Sequence, residues 1–112
     1  MAEPLAVLRG TLDVLVLKAL TWGPMHGFEI TGWIEARATG NLDIVDSALY
    51  QSLSRLEARR AITADWGITE KNRRARYYSI TPAGRGELRA ETARWNRYAE
   101  TVTGILNTPQ PI

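Results

Sequence analysis

Between Ser47 and Gly84 the periodicity of the chain changes twice. SALYQSLSRLEARR repeats its apolar residues at helical spacing, AITADWGIT and ARYYSIT read as strands, and the basic turn EKNRR separates the two. A helix that feeds directly into a two-stranded hairpin leaves few architectures open to 112 residues, which suffice for one domain with a modest core.

The helix has two unlike sides. At 100° per residue Leu49, Leu53, Leu56 and Arg60 fall on one, and Ser47, Tyr50, Gln51, Ser54 and Ala58 on the other, with Arg55 at the edge of the second stripe. The leucines are expected to anchor the helix. The opposite stripe is uncharged and rich in hydrogen-bonding groups, which suits close approach to another surface, although a solvated face is also compatible with it. Arg55 has the fork geometry to grip a phosphate or a guanine edge.

The hairpin turn places Lys71, Arg73, Arg74 and Arg76 within six residues, and Asn72 tolerates a left-handed backbone there. Such a tip is either solvated or laid along a phosphate backbone or into a minor groove. Charge is divided along the chain in a way that favours the second reading. Residues 1 to 50 carry three basic and six acidic side chains, net −3; residues 51 to 112 carry eleven and six, net +5. A polyanion would be met by the second half.

Three further helices are expected. The first, about Gly10 to Trp22, is apolar round most of its circumference through Leu12, Val14, Leu15, Val16, Leu17, Ala19 and Leu20. It is therefore a central core helix, a helix that also meets a second subunit through residues such as Leu12 and Leu15, or both. The second runs from about His26 to Ala38, with Phe28, Ile30, Trp33, Ile34 and Ala38 inward. A short extended link, Leu42 to Ile44, then leads to Asp46 or Ser47 as cap of the amphipathic helix.

The last helix follows Thr81-Pro82-Ala83-Gly84 and continues to Leu106. Leu88, Trp95 and Val102 recur every seven residues, as do Glu91, Tyr98 and Ile105, a seam that calls for a partner helix or for packing on its own domain. The large ring of Trp95 is a packing group, or in a homodimer one half of a sandwich for a planar ligand, with Leu15 nearby.

Several fragments together resemble the PadR family of bacterial transcriptional regulators. They are Met25-His26-Gly27-Phe28-Glu29-Ile30, Ala48-Leu49-Tyr50 with Leu53 and Arg55-Leu56-Glu57, Trp66-Gly67, Arg73-Arg74, Arg76-Tyr77-Tyr78 and Thr81-Pro82-Ala83-Gly84. Their order and spacing are specific where each alone is weak, and the similarity covers about Leu8 to Leu106. The resemblance implies a mainly α winged helix-turn-helix with a small β-hairpin over residues 1–81 and a C-terminal dimerisation helix over 82–108, as in the short-tailed subgroup. It implies a homodimer on palindromic double-stranded DNA, usually repressing, and often released by a small aromatic or hydrophobic effector. Carried over by position, Ser47, Ala48, Tyr50, Gln51, Ser54 and Arg55 form the major-groove reader, and Lys71, Arg73, Arg74 and Arg76 the wing. Leu12, Leu15, Leu88, Glu91, Trp95, Tyr98, Val102 and Ile105 form the dimer interface, and Trp95 and Leu15 the effector site. Arg60 and Asn72 stand where the family commonly has glycine, which puts the helix stop and the wing tip in question.

Other classes find little support. Without cysteine there is neither a disulfide framework nor a common zinc-finger ligand set, in keeping with a reducing cytoplasm. The run from Leu12 to Leu20 is interrupted by Asp13 and Lys18 and is too short to span a bilayer, and MAEPLAVLRG lacks the features of a signal peptide, so no membrane partner is expected. The single histidine, His26, has no nucleophile motif beside it and reads as a structural or capping residue. Asp43 and Asp46 lack the ligand density of a calcium loop, and Gly84-Arg85-Gly86 is not a phosphate loop. Neither an enzyme nor a cofactor is expected. The alternative of a different class is a winged helix that binds protein through Tyr50, Gln51 and the Tyr77-Tyr78 strand.

Overall fold

The computed structural model describes residues 3–8 and 10–111; Met1, Ala2 and Arg9, which fall within the expected first domain, and Ile112 lie outside the described residues. The elements run β1 (Leu5–Ala6), α1 (Thr11–Leu20), α2 (Gly27–Ala38), β2 (Leu42–Asp43), α3 (Asp46–Ala58), β3 (Ile62–Ile68), β4 (Arg74–Ile80) and α4 (Pro82–Leu106). The fold is a mainly helical winged helix with a β3-β4 hairpin and a long C-terminal helix.

The all-round apolarity of α1 is explained by its position. It packs on α2, α3, α4 and β4, and Val16, Leu17 and Ala19 are fully buried. Leu12, expected at a subunit interface, belongs instead to this chain's own core, which leaves almost none of its side chain for a second chain. The helix ends earlier than expected because the N–H groups of Thr21 and Trp22 turn back to the carbonyls of Lys18 and Ala19, three residues away rather than four.

His26 caps α2. The Glu29 N–H donates to His26 Nδ1 at 3.3 Å while the His26 N–H donates to Glu29 Oε1 at 3.1 Å, a reciprocal capping box. Ile30 and Ile34, one turn apart, face α1 and are buried. Phe28 precedes Ile30 by two positions, about 200° round the helix, and is 85% exposed rather than inward as expected. Trp33 is only partly buried against the core.

The link after α2 pairs in parallel with the N-terminal segment, Leu5 opposite Leu42, a strand partner that the sequence reading did not include. Neither Asp46 nor Ser47 caps α3. Val45 holds the N-cap position without a side-chain hydrogen bond, and Asp46 lies in the first turn, where its charge complements the helix dipole.

The C-terminus of α3 answers the question raised by Arg60. Its N–H donates to the Glu57 carbonyl at 3.0 Å and the Ala61 N–H to the Leu56 carbonyl at 2.9 Å, the crossed bonds of a Schellman stop. Arg60 takes the left-handed conformation at φ 61°, and is exposed beyond the helix instead of continuing the leucine side. Arginine therefore occupies a backbone position suited to glycine, at a cost of about 1 kcal/mol.

The hairpin pairs from Ile62 opposite Ile80 to Ile68 opposite Arg74. Its tip is closed by Thr69, whose carbonyl accepts from the Asn72 N–H and whose hydroxyl accepts from the Arg73 N–H. Asn72 takes φ 60°, as its side chain allows. On its free edge β4 is fastened to the helical body by a two-way bridge between Met25 and Tyr78.

The Thr-Pro-Ala-Gly segment seats α4. Thr81 Oγ1 accepts from the Gly84 N–H at 3.0 Å and donates to the Arg60 carbonyl at 2.8 Å, tying the new helix to the end of α3. A Cβ on Gly84 would lie 2.1 Å from the Ala61 carbonyl oxygen, so only glycine permits this approach.

Candidate nucleic-acid interface

The leucine side of α3 is buried at Leu49, Leu53 and Leu56, which turns Ser47, Tyr50, Gln51, Ser54 and Arg55 outward along a shallow depression. Ala48 is half-buried beside them. The opposition of faces expected from helical spacing is therefore present in the fold. No acidic side chain interrupts that stripe.

Sequence periodicity missed what fixes the edge of this face. Asp13 on α1 is buried, and its Oδ1 accepts from the Ser52 hydroxyl at 2.5 Å and from Arg55 Nη2 at 2.7 Å. Arg59 Nη2 donates to Asp13 Oδ2 at 3.1 Å and to Glu87 Oε2 on α4 at 2.6 Å. One guanidinium thus joins α1, α3 and α4. Burial alone would raise the Asp13 carboxyl, but hydrogen bonds from Arg55, Ser52 and Arg59, with the Arg55 charge, outweigh it and hold the pKa below the usual carboxylate value. The Glu87 carboxylate, followed by that of Asp13, pushes Arg59 further up against the cost of its burial. The guanidinium of Arg55, expected to be directed at a ligand, is engaged by Asp13 while half of its side chain stays exposed. The only hint in the sequence was an acidic residue, Asp13, near the start of a mostly apolar helix.

Across from α3 the hairpin and the start of α2 enclose an open cleft of about 830 Å³. Lys71, Arg73, Arg74 and Arg76 line one wall; His26, Phe28 and Tyr50 line the other, and Tyr77 is also part of it. The Tyr50 hydroxyl rests over Gly27, where an added Cβ would approach it to 2.8 Å. The His26 ring meets Tyr77 edge-on at 5.3 Å and stacks beside Phe28 at 6.5 Å.

The four wing cations are not equivalent. Arg74 lies over the Trp66 ring at 4.5 Å, and Arg76 pairs with Glu57 at 2.9 Å, both folded along the sheet face. Lys71 and Arg73 have no carboxylate partner among the described residues. The cleft therefore presents cations to solvent at its tip and neutralised or stacked ones near its base.

The seam residues of α4 divide along its length. Leu15 and Leu88 pack partly against the core, and Glu91 pairs with Arg94 at 3.2 Å on the same helix. Beyond them the helix leaves the body. Trp95 is 43% exposed with its ring 6.2 Å from that of Tyr98, Val102 is half-buried, and Ile105 and Leu106 are open to solvent.

Among the described residues no group of three or more His, Cys, Asp or Glu side chains is placed to hold a metal ion. No described helix is long and apolar enough to cross a membrane.

An amphipathic α3 with its polar face outward, followed directly by a basic β3-β4 hairpin, defines the class of winged-helix proteins. The model of the transcriptional regulator PadR-like family matches residues 16–90, and the chain belongs to that family. Its members are transcriptional regulators that bind DNA, not enzymes. Among solved structures the chain is similar to a transcriptional regulator from Clostridium thermocellum, at 28% identity over 86% of this chain and 90% of the other with a TM-score of 0.78. It is also similar to a PadR family transcriptional regulator from Eggerthella lenta, at 29% identity over 90% and 86% of the two chains and a TM-score of 0.72. An uncharacterised protein of Lysinibacillus sphaericus is 28% identical over 86% of this chain and 88% of its own length.

Proposed function

We propose that the protein represses transcription as a cytoplasmic homodimer on a palindromic operator, with residues 1–81 as the reading domain and α4, within 82–108, as the dimerisation element. The observation that carries this reading is the outward stripe of α3 lying next to the basic hairpin cleft, with Tyr50 lining both. Ser47, Ala48, Tyr50, Gln51 and Ser54 are the major-groove contacts, and Lys71 and Arg73 the leading phosphate contacts, followed by Arg74 and Arg76. Arg55 contributes from its exposed half. Two copies joined through Leu15, Leu88, Glu91, Trp95, Tyr98, Val102 and Ile105 would cover the apolar side chains that α4 leaves in water.

Such a dimer places its two α3 helices in successive major grooves, about 34 Å apart. Trp95 and Leu15 form the effector site, where a planar aromatic or other hydrophobic molecule between the two Trp95 rings would alter that spacing. Genomic footprinting of the purified protein, with sedimentation to fix its mass, tests the central claim. A two-fold symmetric protected site bound by a dimer is expected; a monomer at saturating DNA, or no protected site, would overturn it. Titration of planar aromatics followed by tryptophan fluorescence in wild type and Trp95→Ala tests the effector site, and unchanged affinity in the variant would rule it out.

A further inference from the structure

Phe28 is the most exposed large apolar side chain of the described residues, at 85%, and it is not part of the reading stripe or the wing. It lies in the first turn of α2 and lines the cleft that the hairpin cations also line. Its neighbours there are His26, stacked at 6.5 Å, and through His26 the Tyr77 ring at 5.3 Å. A lone aromatic held in water without a core to join loses the free energy of burying its ring, and here the protein's own fold does not recover it.

We propose that Phe28, supported by His26, is a DNA-contacting residue that lies against the deoxyribose of the strand running through the cleft between the start of α2 and the wing. The proposal rests on the DNA-binding reading of this face. Charge fixes the occupant. The lining sets Lys71, Arg73, Arg74 and Arg76 against Glu29 and Glu70, and with Lys71 and Arg73 free of a carboxylate partner among the described residues it draws a polyanion, which leaves the aromatic side chains to meet the less polar side of the same strand. Each nucleotide of a duplex presents these two chemistries a few ångströms apart, a charged phosphate and an apolar sugar face. The contact is independent of base identity, so it fixes the register of the duplex without reading its sequence.

The test uses the full chain and a fluorescently labelled 30-base-pair duplex of mixed sequence at low salt, so that no operator need be known. Phe28→Ala is expected to weaken binding about tenfold, with the slope of affinity against salt unchanged because no cation is removed. Its melting temperature is expected to match wild type, since the ring packs on no core, and Phe28→Tyr should retain binding. A photoreactive phenylalanine analogue at position 28 should crosslink to the duplex. Wild-type affinity in Phe28→Ala, or a photoreactive variant that binds without crosslinking, overturns the proposal. If in the same assay Arg73→Ala with Arg74→Ala weakens binding, the face still binds DNA and only the role of Phe28 falls; if that double variant is also unaffected, the reading of the whole face falls with it.

Discussion

Two groups of basic side chains on neighbouring stretches of the chain behave in opposite ways. Arg55 and Arg59, at the end of α3, close on the buried Asp13 and on Glu87, whereas Lys71 and Arg73, at the wing tip, meet no carboxylate among the described residues. The first group holds three helices together at the base of the outward face of α3. The second is left to the solvent and whatever charge it carries toward the protein. Counting basic residues merges these two groups, although one spends its charge inside the molecule and the other keeps it available. What separates them is a pair of carboxylates on other helices, Asp13 on α1 and Glu87 on α4.

The largest way to break this comparison is Asp13→Ala. It leaves the buried Ser52 hydroxyl without its acceptor and releases Arg55 to solvent while Arg59 keeps Glu87, and urea unfolding should show a loss of about 2 kcal/mol. A loss below about 1 kcal/mol would mean that the α3 arginines are as independent as those of the wing. At the wing the effect should fall on binding alone. Lys71→Ala with Arg73→Ala should leave the unfolding midpoint in place and lower the salt slope of DNA affinity by about 0.9 per side chain, measured by anisotropy over a range of salt.

Acid sharpens the comparison further. The Asp13 carboxyl has a folded pKa below its ordinary value of 3.8, so its stabilisation is complete above that value and is lost as pH falls through the lower folded one. Wild type should therefore lose stability more steeply below about pH 3.8 than Asp13→Asn, as followed by circular dichroism. The wing variants should keep the wild-type acid branch. The smallest effect belongs to the intermediate case, Arg76 with Glu57, both partly exposed. A double-mutant cycle on that pair should give a coupling below about 1 kcal/mol.

Local pattern carried much of this structure in advance. The leucine stripe of α3, the two strands, the left-handed Asn72 and the Thr-Pro-Ala-Gly start of α4 all rest on interactions between near neighbours in the chain. Helical spacing puts Phe28 about 200° from Ile30, so the two do not share the buried face, and Leu12 belongs to the core rather than to an interface because α1 is surrounded on several sides by its own chain. The Asp13 network joins residues 39 to 46 positions apart, and no periodicity within one helix reports a partner on another. Arg60 shows the reverse. Sequence flagged the missing glycine correctly as a question, but only the crossed hydrogen bonds show that the stop survives with arginine in the strained position.

The seat of Gly84 on the Ala61 carbonyl gives α4 a fulcrum. From there the helix extends through 25 residues, about 37 Å, with its first turns gripped by Thr81 and by Glu87 on Arg59, and its far end free of the body. A rod held at one end converts angle into displacement, so that a tilt of about 10° at the seat carries the tip by about 6 Å. The same leverage runs backward. In the proposed dimer, a small molecule wedged near Trp95, midway along the rod, would need to shift it by only a few ångströms to turn each reading domain through an angle that its partner's domain mirrors.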